Sequence, residues 1–518
     1  MLGKPVVSPN IIDRVVSVFS PERGLKRVQA RMQYQSLADG GYIATKSSRR
    51  SLRSANFKAR SSDMDDLPEI EKLRGIGRDL YRNSTITTSA IDTIRFNVVG
   101  AGLTVQSHID RDFLGMSDED ARAWETAAER YFNFWAASEN SDAEHTSNFY
   151  ENQVIALVSA MVSGDVFVAM PYIGRNDSPF SLALKLIEAD LCCNPNGVKD
   201  NEKIAGGVEI GEWDAPEFYH FAHKHPGGPS RANKWSRVPV FGESGRRNVL
   251  HVFEKKRPGQ RRGISVLAPI IEPLKQLGDY THAELTAAVV SGLFTVFIES
   301  EMGDVPDGMT GMAAESDDGV SDEEIKLEAG AVIGLADGEK VTTANPNRPN
   351  TAFDPFTQAI FKQIGAALSI PYEVLLKHFS SSYSASRAAL LEAWKMFRAR
   401  RVWFVSKFCQ PVYEAFITEC VLLGKLHAPG FIEDPVVRAA YLGTSWNGPA
   451  QGQLNPVQET KAAKMKVEEG FSTRSKEAAE MNSTDYDQNV ARAKSESVKY
   501  VESGLYDIKN KTYAKEEE

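Results

Sequence analysis

Residues 299–340 place the strongest constraint on how this chain folds. They carry thirteen acids against only Lys326 and Lys340, about −11 in charge, and they lie between two stretches of helical periodicity. The apolar runs around the acids are short, one at Leu293–Ile298 and one near Ala331–Leu335, and they read as two strands of a small lobe. Such a lobe holds too little apolar material to fold alone. The periodicity before it predicts a helix from Ser265 to about Val290, stopping near Gly292, with a kink from Pro269 and Pro273. After it, Phe356, Ile360, Phe361, Ile364 and Leu368 share one face of a second helix, Asp354–Leu368, which ends before Pro371.

The amino-terminal end has the opposite charge. Residues 1–60 contain twelve Lys or Arg against three acids, about +9. With Ser and Gly abundant and apolar positions scattered, they predict an extended arm. Such an arm suits non-specific contact with nucleic acid or an acidic partner, and equally a solvated tail. At 518 residues the chain exceeds one ordinary core, so several linked domains are expected. No run of about 18 apolar residues occurs and no secretion-signal pattern opens the chain. With 25% charged residues and a mean hydropathy of −0.33, a soluble protein of cytoplasmic origin, with no membrane partner, is the expectation.

Between these charged segments the pattern is α+β and predominantly helical. Structure is expected to start near Asp66, with two adjoining helices over Leu67–Asn97 and then a strand over Val98–Val105. Further helices are predicted at Asp118–Ala137 and Asn148–Val162. Strands are predicted at Val166–Met170, Leu182–Ile187, Gly207–Ile210 and Val249–Phe253. The longest helix runs from Ser386 to Gln410. Leu390, Trp394, Phe397, Phe404 and Phe408 form one stripe, and Leu391, Val402, Val405 and Cys409 a second, which implies burial on two sides. Pro411 should bend its continuation. Residues 461–509 are charged and helix-prone.

Catalytic signatures are missing from the sequence. There is no glycine-rich loop ending in Lys and Ser or Thr, no GxSxG, no HExxH and no GxGxxG after a strand. Cys192, Cys193, Cys409 and Cys420 lack zinc-ligand spacing and read as reduced structural thiols. His220, His223 and His225 are spaced by 3 and 2, which fits neither a helix face nor a strand face, and Lys224 would repel a cation; a polar strand end is the better reading. Ser382, Ser384 and Ser386 beside Arg387 read as a helix start rather than a nucleophile. Glu188 and Asp190 read as strand-end hydrogen-bond acceptors. No catalytic residue, metal or cofactor is assigned.

Several blocks, in order, resemble the lambda-type family of phage portal proteins. They are Arg78–Asn83 with Ala90-Ile91-Asp92 and Asn97–Leu103; Ser163-Gly164-Asp165-Val166-Phe167 with Ile187–Asp190; and Arg257–Ile264, running on to Asp279-Tyr280 and Ala283-Glu284-Leu285. Pro371–Leu375 with Ser382–Ala389 follows, and then Trp446-Asn447-Gly448, Asn455-Pro456 and Gly470–Arg474. Together they span about residues 70–475. The acidic segment and the basic arm match no block.

The resemblance implies a portal fold with wing, stem, clip and crown regions and a dodecameric ring at one capsid vertex. That ring would be a head–tail connector and DNA conduit for packaging and ejection. Implied partners are double-stranded DNA, a terminase motor, the major capsid protein and a head–tail adaptor, in a virion assembled in the host cytoplasm. On that plan residues 1–65 are the basic arm, 66–263 wing, 264–291 the first stem helix and 292–350 the acidic clip, completed by neighbouring subunits. Residues 351–377 are the second stem helix, 378–385 the tunnel loop, 386–450 the long kinked helix with wing, and 451–518 the crown region and tail. The implied site residues are His378, Phe379, Ser380, Ser381, Ser382, Tyr383 and Ser384 in the loop; Asp304, Asp307, Asp317, Asp318, Glu323 and Glu324 on the clip; and Arg257, Arg261 and Arg262 in a basic stem motif. The alternatives are another ring-forming head–tail adaptor or, from a different class, a phage-associated hydrolase.

Overall fold

Residues 20–23, 25–27, 59–229, 234–292, 296–300, 339–343, 353–379, 382–452 and 455–502 are described by the structure, a computed structural model. The chain divides into two units, Met1–Ser61 and Ser62–Glu518. In the first, residues 21–23 and 25–27 are helical.

The second unit opens with α1 (Ser62–Asn83) and α2 (Thr85–Val98). Ser84 separates them by capping α2, its hydroxyl accepting from Thr87 N. The helix α2 takes in Val98, so the predicted strand begins late, as β1 (Thr104–Ser107) after a turn at 99–102. The helix α3 (Asp118–Ala136) begins with three acids behind Ser117, and α4 (Phe149–Val162) with an Asn148–Glu151 capping box.

Two small sheets follow. In the first, β2 (Asp165–Ala169) lies between β3 (Lys185–Glu188) and β8 (Val249–Phe253), antiparallel to both. The second orders β4 (Ile204–Ala205), β5 (Val208–Ile210), β6 (Pro216–Ala222) and β7 (Trp235–Pro239) as an antiparallel meander. Phe167, Tyr219, Phe221, Val240 and Val249 bury one face of each sheet against the other.

The helix α5 (Ile271–Gly292) starts after a 3-10 turn over Ala268–Ile270. Neither proline lies in the helix interior: Pro269 is in the 3-10 turn ahead of the helix, and Pro273 is in its first turn, where an amide has no intrahelical acceptor to lose. Strands β9 (Val296–Ser300) and β10 (Glu339–Thr343) pair as an antiparallel ribbon. The strand expected at Ala331–Leu335 lies outside the described residues, and β10 falls on a polar run that alternation does not mark. The helix α6 (Phe353–Leu368) returns beside α5, with the Tyr280 ring 5.6 Å from Phe353 and 4.8 Å from Phe356.

A short α7 (Tyr372–Leu376) precedes the long helix α8 (Tyr383–Phe404), which continues through a π-helical turn (Val405–Cys409) into α9 (Gln410–Leu422). Pro411 has no amide to offer Lys407 O, and the bend expected there takes the form of this widened turn, where Gln410 N reaches Val405 O. The first stripe of α8 is buried as expected, with Phe397 and Phe404 at 2% and 0% exposure. The second is buried only at its far end: Cys409 is fully buried and Val405 half-buried, while Leu391 and Val402 are 46% and 69% exposed. Strand β11 (Thr444–Asn447) pairs with β1 across 340 residues of sequence (Thr104 with Asn447). The helices α10 (Pro456–Glu468), α11 (Arg474–Asn482) and α12 (Tyr486–Glu502) complete the described chain. Phe132 is the hub of the main core, its ring 5.3–5.9 Å from those of Trp135, Phe149, Tyr413, Phe416 and Trp446. Among the described residues no helix is long and apolar enough to cross a membrane.

Candidate functional site

Asp165, the first residue of β2, is fully buried, an expensive place for a carboxylate unless donors surround it. They do. Arg262 grips it with two parallel bonds, Nε to Oδ2 at 2.6 Å and Nη2 to Oδ1 at 3.1 Å. Arg74 Nη2 donates to Oδ1 at 3.0 Å, His251 Nε2 to Oδ2 at 3.0 Å and Gly263 N to Oδ2 at 3.1 Å. Burial alone would raise the Asp165 pKa, but Arg262, Arg74 and the His251 bond hold it well below the usual carboxylate range. Burial lowers the His251 pKa against the pull of Asp165. The imidazole presents Nε2 to Asp165 and stacks 4.1 Å from the Phe167 ring.

Arg262 is 2% exposed, yet every donor of its guanidinium is used. Beyond Asp165, Nη1 donates to Cys192 O at 2.7 Å and Gly206 O at 2.6 Å, and Nη2 to Ala189 O at 2.7 Å. One side chain therefore joins both sheets to the 257–264 loop. Lysine could not replace it, since three donors on one nitrogen do not span that fork. Arg74 and Arg78 stand one turn apart on α1. Arg74 Nε donates to Ser163 O, and Arg78 Nε to Ser163 Oγ at 3.1 Å. Arg78 also pairs with Glu188 at 3.1 Å and with Asp190.

Glycines let the segments close on one another. A Cβ on Gly263 would lie 2.0 Å from Gly164 O, and one on Gly164, held at φ +96°, would lie 2.4 Å from Gly263 O. Neither neighbour can yield, because both are backbone.

Arg257, Arg261 and Arg262 lie in the loop ahead of α5. Arg257 pairs with Asp65 at 2.8 Å and Arg261 with Asp63 at 3.0 Å, at the start of α1, while Arg261 Nη2 also donates to Glu202 O. Gln260 braces the loop, accepting from Lys256 N and donating to Arg262 O. The loop sequence joins α7 to α8: His378, Phe379, Tyr383 and Ser384 are exposed, Ser382 caps α8 by accepting from Ala385 N, and Ser380 and Ser381 lie outside the described residues. So do Asp304, Asp307, Asp317, Asp318, Glu323 and Glu324. Nothing in the described residues brings these three groups together.

The three histidines diverge. His220 bonds Glu209 at 3.0 Å, His223 bonds Ser236 at 2.8 Å, and His225 faces Glu188 and Asp190 at 3.5 and 3.8 Å. Glu188, Asp190 and His225 are close enough to share a metal ion, but the Arg78 guanidinium already supplies the positive charge on both carboxylates. A dication there would meet that guanidinium at ion-pair distance.

A second knot lies near the carboxyl end of the long helix α8. Arg401 donates to Val98 O at 2.9 Å, Asn97 O at 2.8 Å and Pro449 O at 2.8 Å. The Gln153 amide bonds both the N–H and the carbonyl of Leu103. Sequence reasoning missed the roles of Arg74, His251, Arg401 and Gln153. For Asp165 and His251 a signal existed: each is a polar residue inside a strand whose other positions are apolar, DVFVA and VLHVF.

The profile of phage portal proteins of the lambda family matches residues 48–401. The portal protein of Escherichia phage N15 is 25% identical over 478 residues, covering 88% of this chain and 89% of that protein. Portal protein B of Escherichia phage lambda is 24% identical over 477 residues, covering 88% of each. Among solved structures, the neck of a native GTA particle computed with C12 symmetry aligns with 79% of this chain and 92% of that one, at a TM-score of 0.41 and 11% identity.

Proposed function

The chain belongs to the lambda family of phage portal proteins, and on that premise we propose that twelve copies close a ring at one capsid vertex, the passage for double-stranded DNA in packaging and ejection. The observation that carries this reading is that the family match, residues 48–401, spans α5, the β9–β10 ribbon and α6 and ends in α8. Those elements supply two stem helices around a clip, and the 378–385 connection supplies a loop directed at DNA. The wing would take residues 66–263 and part of 386–450, and the crown region the helices after 451. Two exposed apolar side chains on α8, Leu391 and Val402, are consistent with assembly, since a subunit of a ring keeps such positions for its neighbour. ATP hydrolysis belongs to a separate terminase, and a head–tail adaptor and the major capsid protein dock on the ring. Assembly takes place in the host cytoplasm.

A conduit must confine a polyanion without gripping it, because every neutralised phosphate adds a salt-dependent attraction that slows sliding. Acids of the clip, repeated twelvefold, would centre DNA by repulsion if they face the bore, and would hold a basic surface of the motor or adaptor if they face outward. Reversing Asp317, Asp318, Glu323 and Glu324 to Lys is expected to leave rings intact by electron microscopy while packaged DNA per particle falls. Shortening Ser380–Ser382 should lower DNA retention in the same assay. Wild-type genome filling and retention in both variants would refute these assignments.

A further inference from the structure

We propose that α11 and α12 form a strap whose hold on the β1–β11 ribbon is set by proton uptake at Glu129, tighter in mildly acidic than in neutral solution. The strap is fastened at one corner. Ser483 Oγ donates to Gly448 O at 2.7 Å, and Asp485 receives the Gln106 side-chain amide. Beyond Tyr486 the side chains of α12 are exposed through residue 499. Asp485 has a double duty, since its other oxygen caps α12 by accepting from Gln488 N at 2.9 Å.

The residue next to Gln106 carries the switch. One edge of β1 pairs with β11. On the other edge Ser107 N donates to Glu129 Oε1 and Ile109 N to Glu125 Oε1, both at 2.9 Å. These two glutamates stand one turn apart on α3 and cap a strand edge that, among the described residues, no other strand covers. Asp485 and Asp487 of the strap therefore come down on a surface that already holds two carboxylates. Tyr413 of α9 donates to Ser107 Oγ at 3.3 Å, and burial pushes the pKa of its phenol up. His108 and Arg122 lie nearer Glu125. Arg492 lines a polar pocket of 240 Å³ with Asp485 and Gln106.

Burial first, then Asp485, Glu125 and Asp487, push Glu129 up to about 7 against the bond from Ser107 N. Releasing the strap removes the charges of Asp485 and Asp487, so the Glu129 pKa falls from that value. The docked form thus binds more protons in the pH range just below it. By linkage, docking weakens by up to about tenfold for each pH unit climbed toward 7, and it levels off above that.

Hydrogen exchange of residues 474–489 in the full-length protein, expressed as protection relative to a free peptide at each pH from 5.5 to 8, tests this. Wild-type protection should fall several-fold between pH 5.5 and 7 and then stay flat. Glu129→Gln keeps an acceptor for Ser107 N without the charge, and its protection should stay at the acidic level throughout. Asp487→Asn, which removes one like charge and leaves the Gln106–Asp485 bond in place, should move the inflection to lower pH. Wild-type protection independent of pH, the same slope in Glu129→Gln, or an unmoved inflection in Asp487→Asn would each overturn the proposal.

Discussion

Replacing Asp165 with asparagine is expected to destabilise the subunit by roughly 3–5 kcal/mol, the cost of leaving buried charges without their partner. Asparagine has nearly the same shape, so the loss would come from electrostatics and not from a cavity. Two guanidiniums, those of Arg262 and Arg74, would share the site with no anion between them. One carboxylate oxygen would become an NH2 group, and every neighbour of Oδ2 is a donor: Arg262 Nε, His251 Nε2 and Gly263 N. Whichever way the amide turned, donor would face donor. Since whole domains are stable by about 5–15 kcal/mol, much of the variant should be lost as insoluble chain. In the soluble fraction the urea midpoint should fall sharply with little change in slope. A midpoint close to wild type would mean that the knot is not what joins α1, the sheets and the 257–264 loop.

The second large effect is expected at Phe132. Truncation to alanine should cost about 3–5 kcal/mol, the range for a buried phenylalanine whose surroundings relax only partly. Phe132 is wholly buried, and its five ring neighbours come from α3, α4, α9 and β11. Filling the space would require those elements to move together, so the cavity should persist. Phe134, two residues on, is 65% exposed. Its change to alanine serves as the control and should shift the midpoint little. Equal midpoints for the two variants would contradict the placement of the core.

Helices were legible in the sequence because each carries its own signal. The helical periodicity over Asn148–Val162 and the Trp394, Phe397, Phe404 and Phe408 stripe are local facts, and α4 and α8 lie where they point. Strands were legible where an apolar run made them so, as at Val249–Phe253. They were not legible at β7, Trp235–Pro239, whose alternation is weak on a mostly exposed edge. The β1–β11 pair was hidden for another reason: its partners are far apart in sequence and no local pattern records their meeting. The same holds for the knot. Arg78, Ser163-Gly164-Asp165, Ile187–Asp190 and Arg257–Ile264 stood out as separate blocks, and the structure gives their shared reason, a single buried carboxylate. What a π turn does for Pro411, or a first-turn position for Pro273, depends on where a helix starts, which periodicity fixes only loosely.

The central claim is that this subunit works as part of a closed ring, and particle imaging of the purified full-length protein, with mass measured on the same sample, tests it most directly. Annular particles of about twelve subunits with an open axis, formed without added nucleotide or metal, are the predicted result. A monodisperse monomer at every concentration and salt tried, with no annular particles in any field, would contradict it.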